Sequence, residues 1–165
     1  MAELTPQERL QPALLDRLTD DAPTERSESR EQRVLSLQRL RAALLRDLAW
    51  LLNTGHLETL EDLAEFPEVR RSVLNFGIPD LAGLTISRAD TAAIEKAVRQ
   101  AILDFEPRIA PQSLRVSVQG TESGRTAIAF RIEGELWAKP AAQALYLKTE
   151  VDLETGNVTV TEGQG

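Results

Sequence analysis

Large apolar residues recur three or four positions apart between Gln32 and Asn53, at Val34, Leu37, Leu40, Leu44, Leu48 and Leu51, with Arg33, Arg39, Arg41, Arg46 and Asp47 mostly on the other side. That period predicts one long amphipathic helix. Ser29 with Gln32 fits a capping box at its start, and Asn53-Thr54-Gly55 supplies its stop. Leu57 to Phe76 has no clean period, but Pro67 suits a first helical position and Gly77 a helix exit, so a short helix is expected across Glu68 to Asn75, followed by the loop GIPDLAGL. Ser87 opens a second strong helix in which Ile94, Val98, Ala101, Ile102 and Phe105 form one stripe. Pro107 stops it after Glu106.

Beyond Pro111 the period falls to two. Leu114, Val116 and Val118 alternate with Arg115 and Ser117, and Ile128, Phe130 and Ile132 with Ala129 and Arg131. A third run puts Leu145, Leu147, Val151 and Leu153 on one face and Tyr146, Lys148, Glu150 and Asp152 on the other. Thr155-Gly156-Asn157 then turns the chain into Val158-Thr159-Val160. Helices first and strands last predict an α+β fold, N-terminal helices packed on a C-terminal antiparallel meander.

Before the first long helix the pattern differs. Leu10, Leu14, Leu15 and Leu18 share one helical face, but the following DDAPTERSESRE holds no large apolar residue. A helix this short is marginal in water unless another surface covers its apolar face. Residues 1–31 are therefore expected to be a flexible docking arm and linker, and residues 32–165 a single domain.

Composition narrows what such a domain does. With 165 residues the chain has material for one core. A net charge of −7 opposes binding to nucleic acid, which requires clustered cations. Cysteine is absent and histidine occurs once, which excludes disulfides and thiolate metal sites and leaves little for zinc; no metal or cofactor is expected. No secretory signal and no membrane-length apolar run is evident, so a cytoplasmic location without membrane insertion is expected.

Few residues are candidates for chemistry. His56 can be a general base, but no nucleophile or orienting group can be assigned to it, and a surface-loop histidine is the plainer reading. Trp50 and Trp137 read as core or core-edge packing. Glu133 and Glu135 flank Gly134 in an expected bend and read as solvated face charges. Glu106-Pro107-Arg108 has a logic of its own, because a proline that stops a helix fixes the directions of the carboxylate and guanidinium beside it. Such a pair serves as an internal tie or as a rigid polar contact between chains. Spacing leaves both open.

RSVLNFGIPDLAGLTIS, AILDFEPRI, EGELWAKP and LYLKTEVDLETGNV, together with ALLDRLTDD and RDLAWLLNT, resemble the TssE family of type VI secretion baseplate subunits and the wider phage baseplate wedge family, historically labelled lysozyme-like. The resemblance spans nearly the whole chain. It implies a structural component without enzymatic activity, present in several copies around the inner tube of a contractile injection machine docked at the inner membrane. Implied partners are the baseplate proteins TssF, TssG and TssK and the sheath proteins TssB and TssC. Glu106, Pro107 and Arg108 are then a docking point, and Leu14, Leu15 and Leu18 are contacts of the arm. Val158 and Val160 lie on an edge strand where a sheath segment can add, and a proline at Thr159 is the natural probe of that edge. The alternative is a lysozyme-like peptidoglycan hydrolase, which requires two carboxylates across a cleft.

Overall fold

The computed structural model describes residues 14–19, 37–81, 88–119, 127–136, 143–152 and 154–163. Among these residues four α-helices, α1 (Leu14–Leu18), α2 (Leu37–Leu52), α3 (Pro67–Arg70) and α4 (Arg88–Phe105), precede four strands, β1 (Arg115–Gln119), β2 (Ala127–Leu136), β3 (Gln143–Asp152) and β4 (Val158–Glu162). The strands form one sheet in the order β1-β2-β3-β4, every pair antiparallel. The fold is α+β, as the switch from a helical to a strand period predicts.

The core is where the two periods meet. Leu40, Leu44, Leu48 and Leu51 of α2 and Ile94, Val98, Ala101 and Ile102 of α4 are buried, four residues of apolar stripe from each helix. Opposite them lie Ile128, Phe130 and Ile132 of β2 and Leu145, Leu147 and Val151 of β3, the alternate residues of both central strands. Helix α4 packs on β1 and α2 on β4, so the helices cover the sheet edge to edge. Thr149 is the polar member of the inner row of β3, and its hydroxyl donates to the Phe130 carbonyl at 3.3 Å. Burying that hydroxyl therefore leaves no unmet hydrogen bond.

Several expectations are corrected. The helix expected over Glu68 to Asn75 breaks after Arg70, because the Ser72 hydroxyl donates to the Val69 carbonyl (2.9 Å) and accepts from the Leu74 N–H (3.2 Å), closing one turn and starting another, at Val73–Asn75. No bend forms at Gly134. Strand β2 runs through it in register with Leu145, and glycine is needed there because a Cβ would come within 2.9 Å of the Ile109 side chain. Trp50 is 53% exposed rather than packed in the core, and the Arg46 guanidinium lies 5.4 Å from its ring centroid. Leu10, the capping box at Ser29 and Gln32, Val34, Ser87, Trp137 and Leu153 lie outside the described residues.

Between α2 and α4 the chain leaves the core and returns. The excursion closes at a neck where the Ile78 N–H donates to the Thr54 carbonyl (2.8 Å) and the His56 N–H to the Ile78 carbonyl (3.1 Å). At the neck Gly77 has φ +132°, and a Cβ there would sit 2.3 Å from the Thr54 carbonyl oxygen. Gly77→Ala is therefore expected to lower the unfolding free energy by about 2 kcal/mol or more. Gly55→Ala, across the same neck but with open space around its Cβ, is the matched control and is expected to change stability by less than about 1 kcal/mol. Equal denaturation midpoints for the two variants would contradict this account of the neck.

Candidate functional site

Helix α4 spends its last hydrogen bond on Glu106, whose N–H donates to the Ile102 carbonyl at 2.8 Å, and Pro107 prevents continuation. The chain turns at once. The Ile109 N–H reaches back to the Glu106 carbonyl (3.2 Å), and Ile109 enters the core against the end of β2. The tight turn folds the Arg108 side chain back over Glu106. Arg108 Nε donates to Glu106 Oε1 at 2.6 Å, Nη2 reaches Oε2, and the Arg108 backbone N–H donates to Oε1 at 3.2 Å. The result is a two-pronged fork.

Nη2 of the same guanidinium donates to Asp47 Oδ2 of α2 at 2.6 Å, 61 residues away in sequence. Asp47 Oδ1 in turn accepts from Arg46 Nε (2.9 Å), and Arg46 Nη1 donates to Asp16 Oδ1 of α1 (2.8 Å). Five alternating charges thus run from α1 through α2 to the corner after α4. The Glu106 side chain is only 4% exposed, Arg108, Asp47 and Arg46 are progressively wetter, and Asp16 at the α1 end is drier again at 14%. Burial works against the Arg108 charge, but the carboxylates of Glu106 and Asp47 more than offset it and hold the guanidinium above its ordinary pKa. Pairing with Asp16 does the same for Arg46, against partial desolvation. Arg108 Nη1 is buried and makes no hydrogen bond among the described residues.

At the other end of α2, Asn53 finishes the helix and performs a second task. Its carboxamide donates to the Val158 carbonyl (2.8 Å) and accepts from the Val158 N–H (2.8 Å). The register explains why those groups are free to be taken. Asn157 and Gly163 bond to Asp152 and Tyr146 of β3, so by antiparallel alternation Thr159 and Thr161 also face β3, whereas Val158, Val160 and Glu162 turn their backbone groups outward. With Val158 occupied by Asn53 and its side chain in the core, Val160 and Glu162 are the positions that leave β4 open among the described residues. The opposite edge is covered differently: Glu95 of α4 accepts from the Val118 N–H (2.7 Å) and Arg99 donates to the Leu114 carbonyl (3.3 Å). A proline at Thr159 would break the ladder between β3 and β4, so the probe of the open edge is Val160.

Among the candidate contacts, Glu106 and Arg108 come together, Pro107 between them is exposed, and Leu14, Leu15 and Leu18 of α1 are exposed on a helix tied to the same network by Asp16. Asp47, Arg46, Asp16 and Asn53 carried no signal in the sequence. Asp47 and Arg46 read as the solvent side of an amphipathic helix, and Asn53 as a helix stop, since partners 61 and 105 residues away leave no local pattern. The Nδ1 atom of His56 lies 3.4 Å from the Thr59 hydroxyl. Glu133 pairs with Arg131 at 2.7 Å, and Glu135 is exposed. Among the described residues no group of three or more His, Asp or Glu is set to hold a metal, and no helix is long and apolar enough to cross a membrane.

These features define a small α+β protein whose distinctive groups are a charged corner and an open strand edge. Residues 38–141 match the family model of baseplate wedge protein gp25, and the chain belongs to that family, which includes TssE. Comparison with curated proteins returned no match.

Arg108→Ala leaves the buried Glu106 carboxylate without its cation and is expected to cost about 2 to 5 kcal/mol of stability. Arg108→Lys keeps the charge but loses the fork and is expected to recover only part of it. Urea denaturation measures both, and a wild-type midpoint for Arg108→Ala would show that the corner contributes nothing to the fold.

Proposed function

We propose that this protein is a structural wedge component of a type VI secretion baseplate, without enzymatic activity, and that it links the wedge to the contractile sheath. Membership of the baseplate wedge family supports the first part. The observation that carries the second is the β4 edge, where the outward backbone groups of Val160 and Glu162 are open directly beyond the Asn53 stop at Val158. An extended segment of a sheath subunit, TssB or TssC, adds there through main-chain hydrogen bonds. The baseplate partners TssF, TssG and TssK meet the charged corner, where exposed Pro107 stands between Glu106 and Arg108, and the leucines of α1 beside it. Residues 1–31 act as the docking arm and residues 32–165 as the wedge domain. Several copies surround the inner tube on the cytoplasmic side of the inner membrane.

Internal pairing of Glu106 with Arg108 changes how docking is tested, since removing either charge also weakens the fold. Pro107→Trp adds bulk at the exposed centre of the triplet and keeps all five charges, although it gives up the ring that stops α4. It is expected to lower the denaturation midpoint less than Arg108→Ala does, leaving the chain folded, and to abolish co-purification with TssF and TssG; retained co-purification would remove the triplet from the interface.

For the sheath, Val160→Pro deletes an outward N–H and is expected to stop sheath growth from assembled baseplates while leaving the ladder between β3 and β4 protected from hydrogen exchange. Thr159→Pro is the contrasting variant, expected to expose that ladder to exchange. Normal sheath growth with Val160→Pro would rule out β4 as the joining edge.

A further inference from the structure

The excursion between α2 and α4 is held by polar groups. Beyond the neck at Thr54, His56 and Ile78, the buried Asn75 carboxamide accepts from the Glu58 N–H (2.9 Å) and donates to the Arg70 carbonyl (3.0 Å). Arg70 closes the same ring through Glu58, with 3.1 and 2.8 Å contacts to its two carboxylate oxygens. Leu63 is buried, and Phe76 anchors the base edge-on to Phe105 of α4, ring centroids 5.2 Å apart. Yet four large apolar side chains point out of this pinned loop: Leu60 is 82% exposed, Val73 80%, Leu74 68% and Phe66 56%. The loop is closed without them. The two turns that carry Leu60 and Val73-Leu74 are tied together by Asn75, and α3, which follows Phe66, packs on the second. Scattered exposed apolar residues are ordinary, but four on one short, self-braced loop mark a contact surface.

The charges around them identify the occupant. Residues 57–76 hold five acidic and two basic side chains, and Glu58 is already spent on Arg70. Glu61, Asp62, Glu65 and Glu68 are exposed against one further cation, Arg71. A second copy of the chain brings the same acidic rim and a net charge of −7, which opposes self-association here. We propose that this loop is a docking surface for a segment of another protein in which large apolar side chains alternate with lysine or arginine, the apolar groups covering Leu60, Phe66, Val73 and Leu74 and the cations meeting the rim. The surface uses none of the residues of the β4 edge or the Glu106-Arg108 corner, and it does not rest on the role assigned to them.

The test uses the full-length chain and three labelled peptides: an amphipathic leucine–lysine peptide, a leucine–glutamate peptide of the same pattern, and a serine–lysine peptide of the same charge. Anisotropy titration is expected to show binding of the leucine–lysine peptide alone, with amide shifts confined to residues 57–76. The combined variant Leu60→Ser, Val73→Ser, Leu74→Ser should weaken it about tenfold or more. Glu61→Lys with Glu65→Lys should weaken it too and admit the leucine–glutamate peptide, which keeps the test decisive should the triple variant unfold. Shifts elsewhere, equal binding of the serine–lysine peptide, or affinity unchanged by both sets of variants would overturn the proposal. Self-association of the wild type that disappears in the triple variant would identify a second copy as the occupant and overturn it equally.

Discussion

One guanidinium holds two carboxylates that the chain delivers from different places. Arg108 receives Glu106 from the end of its own helix and Asp47 from the middle of α2. A carboxylate as buried as that of Glu106 is costly unless a cation and several donors meet it, and the turn forced by Pro107 supplies both the cation and a backbone N–H. The position of α2 relative to α4 is thereby specified by polar geometry as well as by packing. Apolar stripes alone tolerate sliding; a bridged pair of carboxylates does not. The strands that follow inherit that placement, since Ile109 leaves the corner directly into the core and Ala110 bonds the Glu135 carbonyl of β2 at 2.9 Å.

The hydrophobic pattern made the frame legible. Both long helices, the residues of their buried faces and the alternation along the central strands follow from periods of 3.6 and two, because burial on one face is what those periods encode. What escaped was whatever depends on partners distant in sequence. The ion chain from Asp16 to Glu106 and the Asn53 clamp join residues 30 to 105 positions apart, and each member is locally an ordinary surface or capping residue. Local chemistry misled in two places as well. Ser72 broke a helix by satisfying its own neighbours, and Gly134, which reads as a bend, is a flat place in a strand where another segment passes close. The Glu-Pro-Arg triplet was visible as a motif, but that its charges face each other and Asp47 follows only from the folded arrangement of α2 and α4.

The two sides of the sheet are finished by opposite means. Helix α4 lays Glu95 and Arg99 along β1, meeting backbone groups of Val118 and Leu114. Helix α2 packs on β4 too, but among the described residues its hold on the strand's backbone is Asn53, the residue after its end. A sheet built on a single covering layer of helices thus has one edge guarded along its length and another guarded at one end, and the difference comes from where each helix stops rather than from the strands.

That partial guard has a consequence for the protein while it is alone. An exposed strand that can pair along its whole length invites unlimited stacking of like edges into fibres. Here the Asn53 carboxamide fills the first outward rung, the second belongs to Val160, and the third carries the charge of Glu162. So short a template, with the charge of Glu162 at its end, offers little for edge-to-edge growth, and the side chain that ends a helix is what shortens it.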